Sequence, residues 1–179
     1  MAERFVTRRK AAAWLAGAMG GVFAATAGHA SSPLDLPPVK LKPFSLPALS
    51  GLEGVAGFDL ATLEGHITVL NFWGSWCGPC RTEHQRLQDL RKKNVRLVGV
   101  NAFDPNAADA VLFLKKEGNP FQFVGVDPKK GGLCEMLGIE SIPQTFIIGR
   151  NAEILWQTGN TLDEHEFQDL LKAAQAASV

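Results

Sequence analysis

Residues 71–84 read NFWGSWCGPCRTEH, with Cys77 and Cys80 two residues apart directly after an apolar run. The segment before them, HITVLNFW at 66–73, is rich in β-branched and aromatic residues and reads as a buried strand. The segment after them, from Pro79 to about Lys93, reads as a helix with Leu87 and Leu90 on one face. The cysteines therefore fall at the carboxyl end of a strand where a helix begins, the usual reactive position of an α/β sheet. A cysteine at a helix N-terminus meets unpaired backbone N–H groups and the positive end of the helix dipole, which favour thiolate over thiol. This makes Cys77 the expected nucleophile. Cys80 lies one turn along the same face, close enough to close a small-ring disulfide, and is the expected resolving thiol. Pro79 is tolerated because the first helical turn has no use for its missing donor. Trp73 and Trp76 are expected to shield the pair while leaving one sulfur accessible. A zinc clip would need four ligands, and although Cys77, Cys80 and His84 share a face, a fourth is missing. A purely structural disulfide within one turn closes almost no loop and contributes little stability.

The chain has 179 residues, 46% hydrophobic and 20% charged, which suits one domain with a short N-terminal extension. Its zero formal net charge gives no electrostatic reason for a nucleic-acid partner. Three cysteines are too few for a disulfide-dense scaffold, so a close pair with one thiol left over points to chemistry. The start is patterned as an export address: MAERFVTRRK is basic, residues 11–27 are uncharged and apolar, and AGHASS offers small residues for cleavage after Ala27 or Ala30. The apolar run falls just short of the roughly 18 residues of a spanning helix, so residues 1–30 are read as a cleaved signal, with an uncleaved membrane anchor as the alternative. Arg8-Arg9 matches twin-arginine export only loosely. Removing residues 1–30 leaves 14 basic and 17 acidic residues. The expected location is the periplasm or cell envelope of a bacterium.

Residues 31–47, with five prolines, read as an extended lead-in to a domain at 48–179. Within that domain the segment around 58–60 could pair as an edge strand, and 95–101 and 121–126 read as strands flanking a helix at 107–117. A short helix at 133–137, a hairpin of 145–149 with 153–158, and a last helix opened by Asp163 follow. Alternating strands and helices imply a mainly parallel sheet, with an antiparallel edge forced by the hairpin.

FWGSWCGPC after a strand, with SIPQTFII some sixty residues downstream, resembles the thioredoxin superfamily. CRTEH, FLKKEGNPF and the export pattern narrow the resemblance to its exported, cytochrome c biogenesis branch, the CcmG/DsbE group and its TlpA/ResA relatives. The resemblance runs from about Phe44 to the C-terminus. It implies a thioredoxin-like fold, a central mixed β-sheet flanked by helices, with an extra helix-strand insertion between Asn101 and Asp127. It also implies that the Ile142–Pro143 bond is cis and lies against the cysteines, so that Trp76, Ile142 and Pro143 contact substrate. Glu83 matches an acid that tunes proton transfers at the second cysteine in this branch; an exposed helical glutamate is the alternative. Asn71 stands where thioredoxin has a buried aspartate and cannot accept a proton. Gln144 stands where many members of the branch carry an acid after the proline, which leaves the client surface open.

Gly78-Pro79 is the thioredoxin pairing, which favours a reducing pair: thioredoxin lies at about −270 mV, strongly oxidising relatives near −120 mV. Cys134 in GGLCEMLG is read as an inert core thiol. His84 and His165 are read as solvated helix residues. The resulting expectation is an exported thiol:disulfide oxidoreductase, a reductase of client disulfides, with no cofactor and no metal. The resemblance implies protein disulfide clients, apocytochrome c or its thiol chaperone among them, and re-reduction by a membrane thiol donor of the DsbD or CcdA kind. One alternative is a general envelope disulfide reductase or isomerase; another, of a different class, is a copper- or zinc-binding chaperone, against which the C-x-x-C spacing argues.

Overall fold

The structure is a computed structural model that describes residues 39–128 and 130–177. The expected signal or anchor at 1–30 and the first part of the proline-rich lead-in lie outside the described residues. Among the described residues no helix is long and apolar enough to cross a membrane.

The elements run β1 (Ser45–Leu46), β2 (Phe58–Asp59), α1 (Leu60–Leu63), β3 (Thr68–Trp73), α2 (Gly78–Lys92), β4 (Leu97–Asn101) and α3 (Ala107–Glu117), then β5 (Phe123–Val126), α4 (Leu133–Leu137), β6 (Gln144–Ile148), β7 (Ile154–Thr158) and α5 (Glu164–Ala177). A five-stranded sheet has the order β5-β4-β3-β6-β7. The β3–β4 and β4–β5 pairs are parallel, whereas β3–β6 and β6–β7 are antiparallel. The sheet is thus evenly mixed where the sequence pattern suggested a mainly parallel one. Strand-helix alternation does not encode direction: the connector through α4 crosses from the β5 edge to the far side of β3, and the end at which it finishes decides how β6 enters.

β3 is buried along its whole length, as the continuous apolar run requires of a central strand. Its side chains alternate between two cores. Val69 and Trp73 join Leu87 and Leu90 of α2, Phe113 and Leu114 of α3 and Phe167 and Leu170 of α5. Leu70 and Phe72 face the other way, toward Leu63 of α1, Leu133 and Cys134 of α4 and Phe146 of β6. The segment read as an edge strand near Phe58 pairs with Ser45–Leu46 in a separate two-stranded sheet. It stops at Asp59 because that residue caps α1, forming a reciprocal capping box with Thr62.

Both edges of the large sheet are covered by the chain that precedes it. The Ile154 N–H donates to Val39 O (2.8 Å) and the Leu41 N–H to Ala152 O (2.9 Å), closing the start of β7. On the opposite edge Val126 N–H donates to Pro47 O (2.9 Å) and Val124 N–H to Ala56 O (3.0 Å). Proline suits position 47 because only its carbonyl is used there, and covered edges resist edge-to-edge association.

The helix-strand unit α3–β5 packs onto the front of α2. The Phe113 ring lies 5.8 Å from Trp73 and 4.8 Å from His84, and the Arg81 guanidinium sits 5.1 Å above it. Trp73 also stacks on Phe121 at 5.8 Å. Gly99 in β4 makes room for that stack, since a Cβ there would meet the Phe121 ring at 2.8 Å. Gly99→Ala should therefore lower the unfolding free energy by about 1–3 kcal/mol, the usual cost of overpacking, measured by denaturant titration of the oxidised protein.

Candidate active site

β3 ends at Trp73, and α2 begins at Gly78 with proline in its first turn. Cys77 is the N-cap of α2 and is joined to Cys80 by a disulfide, with a Cα–Cα distance of 5.3 Å. The Cys80 N–H donates to Cys77 Sγ at 3.1 Å, and the Arg81 N–H donates to Cys77 O at 3.1 Å. A donor aimed at Sγ together with the positive helix end favours negative charge on that sulfur once the disulfide opens. The Ile142–Pro143 peptide is cis, and Ile142 O lies 3.7 Å from Cys77 Sγ. The fold thus brings Cys77, Cys80, Ile142 and Pro143 to one place, although 62 residues separate Cys80 from Ile142.

The two tryptophans do different things. Trp73 is in the core beneath the site, while Trp76 is 57% exposed at its rim. Cys77 and Cys80 are only 3% and 4% exposed, so neither sulfur has the open access expected of Cys77. In the oxidised state the partner sulfur and the Ile142–Pro143 turn cover Cys77, a tertiary contact that helix-end reasoning omits.

A polar clamp fixes the loop before Cys77. The Asp104 carboxylate accepts from Ser75 N–H (2.8 Å), Ser75 Oγ (2.6 Å) and Asn101 Nδ2 (2.6 Å). Arg81 Nη1 donates to Ser75 O at 3.2 Å, and Trp76 Nε1 donates to Phe103 O at 3.0 Å. Asn106 caps α3, accepting from Ala108 N–H at 3.0 Å, while Asp104 turns toward the cysteine loop. No sequence spacing links Ser75 to Asp104; the parallel pairing of β3 with β4 does.

Glu83 is 1% exposed, at one turn from Cys80 along α2. Its Oε1 accepts from Asn71 Nδ2 (2.9 Å) and its Oε2 from Leu162 N–H (2.9 Å); Asn71 Nδ2 also donates to Thr145 Oγ1 at 3.0 Å. Burial raises its pKa to about 7, against the opposing pull of the Leu162 N–H and Asn71 donors. The solvated-glutamate alternative is thereby removed. Asn71, which cannot take a proton itself, holds the side chain that can.

His84 is buried, its Nε2 2.9 Å from Gly118 O and its ring against Phe113, so the expectation of a solvated residue is corrected. The insertion helix covers that face of α2, which no periodicity within α2 reveals. His165 is exposed on α5. Cys134 is buried beside Asp127, and burial, then the Asp127 carboxylate, push its thiol up to about 12. Such a thiol is unreactive as a nucleophile. Among the described residues no group of three or more His, Cys, Asp or Glu side chains is placed to hold a metal ion.

A thioredoxin-like sheet carrying a C-x-x-C disulfide at a helix N-terminus, opposed by a cis-proline turn, defines a thiol:disulfide oxidoreductase. The Redoxin family pattern matches residues 40–173, and the chain belongs to that family. It is 36% identical over 133 residues to the thiol:disulfide interchange protein HelX of Rhodobacter capsulatus, covering 73% of this chain and 69% of HelX. It is 34% identical over 148 residues to the thiol:disulfide interchange protein DsbE of Pseudomonas fluorescens biotype C, covering 82% of each. Among solved structures, a Chlorobium tepidum protein assigned as a DsbE superposes with a TM-score of 0.62 at 30% identity, over 78% of this chain and 96% of that one.

The raised Glu83 pKa has a definite sign in the stability profile. The folded protein holds this proton up to about pH 7, whereas the unfolded chain releases it near 4.5. Glu83 therefore costs no stability below about pH 4.5, and its cost grows until pH 7 is passed. The stability of Glu83→Gln relative to the native protein should accordingly rise between these pH values by on the order of 3 kcal/mol. Chemical denaturation at a series of pH values checks this; a flat difference would contradict it.

Proposed function

We propose that the protein is an exported reductase of protein disulfides, with Cys77 as the attacking sulfur and Cys80 as the resolving one. The observation that carries this is the Cys80 N–H directed at Cys77 Sγ beside the Ile142 carbonyl. In the reduced protein the Cys77 thiolate attacks one sulfur of a client disulfide. A mixed disulfide forms, and the client's other sulfur leaves as a thiolate that takes a proton from water. Cys80 then gives its proton to the Glu83 carboxylate and attacks Cys77 Sγ, which releases the client's second thiolate. Two electrons have passed to the client, and the Cys77–Cys80 disulfide remains. Trp76, Ile142 and Pro143 form the rim against which the client chain lies.

The direction of electron flow has two supports. Gly78-Pro79 is the pairing of reducing relatives. A buried carboxylate one turn from Cys80 disfavours a second negative charge on the opened pair, which shifts the balance toward the disulfide. The basic, apolar and small-residue pattern of residues 1–30 supports export to the periplasm or envelope. Outside the cytoplasm a reducing pair needs a supply of electrons, and a membrane thiol donor of the DsbD or CcdA kind fits that need. The resemblance to the cytochrome c biogenesis branch supports apocytochrome c or its thiol chaperone as the client, and the similarity to the thiol:disulfide interchange proteins HelX and DsbE supports disulfide exchange as the reaction.

Cys77→Ser should abolish reduction of a model protein disulfide. Cys80→Ser should instead accumulate mixed disulfides, and identifying the proteins bound to Cys77 in the native host tests the client. Recovery without any c-type cytochrome component would overturn the client assignment. A midpoint potential above roughly −150 mV would overturn the reducing direction.

A further inference from the structure

Phe103 is a bulky residue in the left-handed region, at φ 59°. That conformation is unfavourable for a side chain of its size and persists only where the surroundings impose it. Among the described residues the other two non-glycine positions with positive φ sit where chain reversal explains them: Asn94 just past the end of α2 and Ala152 in the β6–β7 turn. Phe103 lies instead in the loop after β4, bonded through its carbonyl to Trp76, the residue before Cys77, and is 45% exposed. Its neighbours hold it there from both sides. Its carbonyl accepts the Trp76 indole N–H, and the next residue, Asp104, is bound by Ser75 and Asn101. Gly74 lies where these groups meet, since a Cβ on it would come within 3.1 Å of Ile142 Cδ1, Ala102 O and Trp76 Nε1. Ile142 and Trp76 thus meet at Gly74, three residues before Cys77, and Phe103 is tied to Trp76 through its carbonyl; all three are uncharged, and Trp76 and Phe103 are exposed.

We propose that Phe103 is a client-recognition residue, which with Trp76 and Ile142 forms an apolar rim for an apolar side chain adjacent to the reacting cysteine of an extended client polypeptide. This rests on the reading of Cys77 as the attacking sulfur. A client must bond covalently to Cys77, so the chain flanking its cysteine has to cross the surface around that sulfur. The rim is continuous with this contact. Asp104 and Ser75 are positioning residues: they fix the loop so that the ring is presented before the client arrives, which reduces the ordering cost of binding.

The test uses the reduced full domain and two cyclic disulfide peptides, identical except for Phe or Gly beside one cysteine. The native protein should reduce the Phe peptide about tenfold faster, as burial of one aromatic ring allows. Phe103→Ala and Phe103→Gly should both lose that preference. Phe103→Gly also relieves the strained backbone, so its thermal midpoint should equal or exceed the native value, and its redox midpoint potential should stay in place. Loss of preference without loss of stability cannot come from misfolding. Retention of the preference in Phe103→Gly, or equal rates for the two peptides in the native protein, would overturn the inference alone. Failure of the native protein to reduce either peptide would instead overturn the functional reading on which it rests.

Discussion

The junction between β3 and α2 is the constraint on which the rest of the structure depends. β3 is hydrogen-bonded on both sides, to β4 and to β6, so its end at Trp73 cannot shift without moving the whole sheet. α2 starts five residues later, and the Cys80 N–H in its first turn points at Cys77 Sγ. The thiolate-favouring site is thus a by-product of helix geometry anchored to a rigid strand. Everything else around it either restrains the four-residue loop between the two elements or controls charge below it.

Charge control carries a cost. Glu83 is buried at the base of α2, held by Asn71 of the central strand and the Leu162 backbone. An ionised carboxylate there is unfavourable, and a fold selected only for stability would place an apolar residue in its position. Held with a pKa of about 7, the group can be found in either protonation state at physiological pH, which is what a proton acceptor for a buried thiol requires. In the proposed role of Glu83, stability and the exchange reaction pull in opposite directions at this residue.

The helix-strand unit α3–β5 contributes in two ways. Phe113 closes over Trp73 and His84, and so buries a face of α2 that would otherwise be wet. The loop leading into α3 supplies Asp104, which ties the cysteine loop to the end of β4. An addition to the basic sheet thereby becomes part of the wall of the site, and it ties an exposed aromatic residue, Phe103, to Trp76.

Local chemistry made much of this legible. The strand-to-helix switch at residues 71–84, the helix at 107–117 and the 133–137 helix are set by neighbours within a few positions, and the structure has them within one or two residues. Helix periodicity likewise marked Leu87 and Leu90 as core. Contacts between distant segments were not legible. The antiparallel entry of β6, the burial of His84 by Phe113, and the cover of Cys77 by Ile142 each join positions between 29 and 80 residues apart. Glu83 shows the division most clearly: its place one turn after Cys80 follows from the sequence, yet its protonation is set by burial against the opposing Leu162 N–H and Asn71 donors. The sequence determined which groups could react and on which element they stand. The tertiary structure decided how deeply they are buried and which donors face them, because desolvation and long-range hydrogen bonds exist only once the elements have packed.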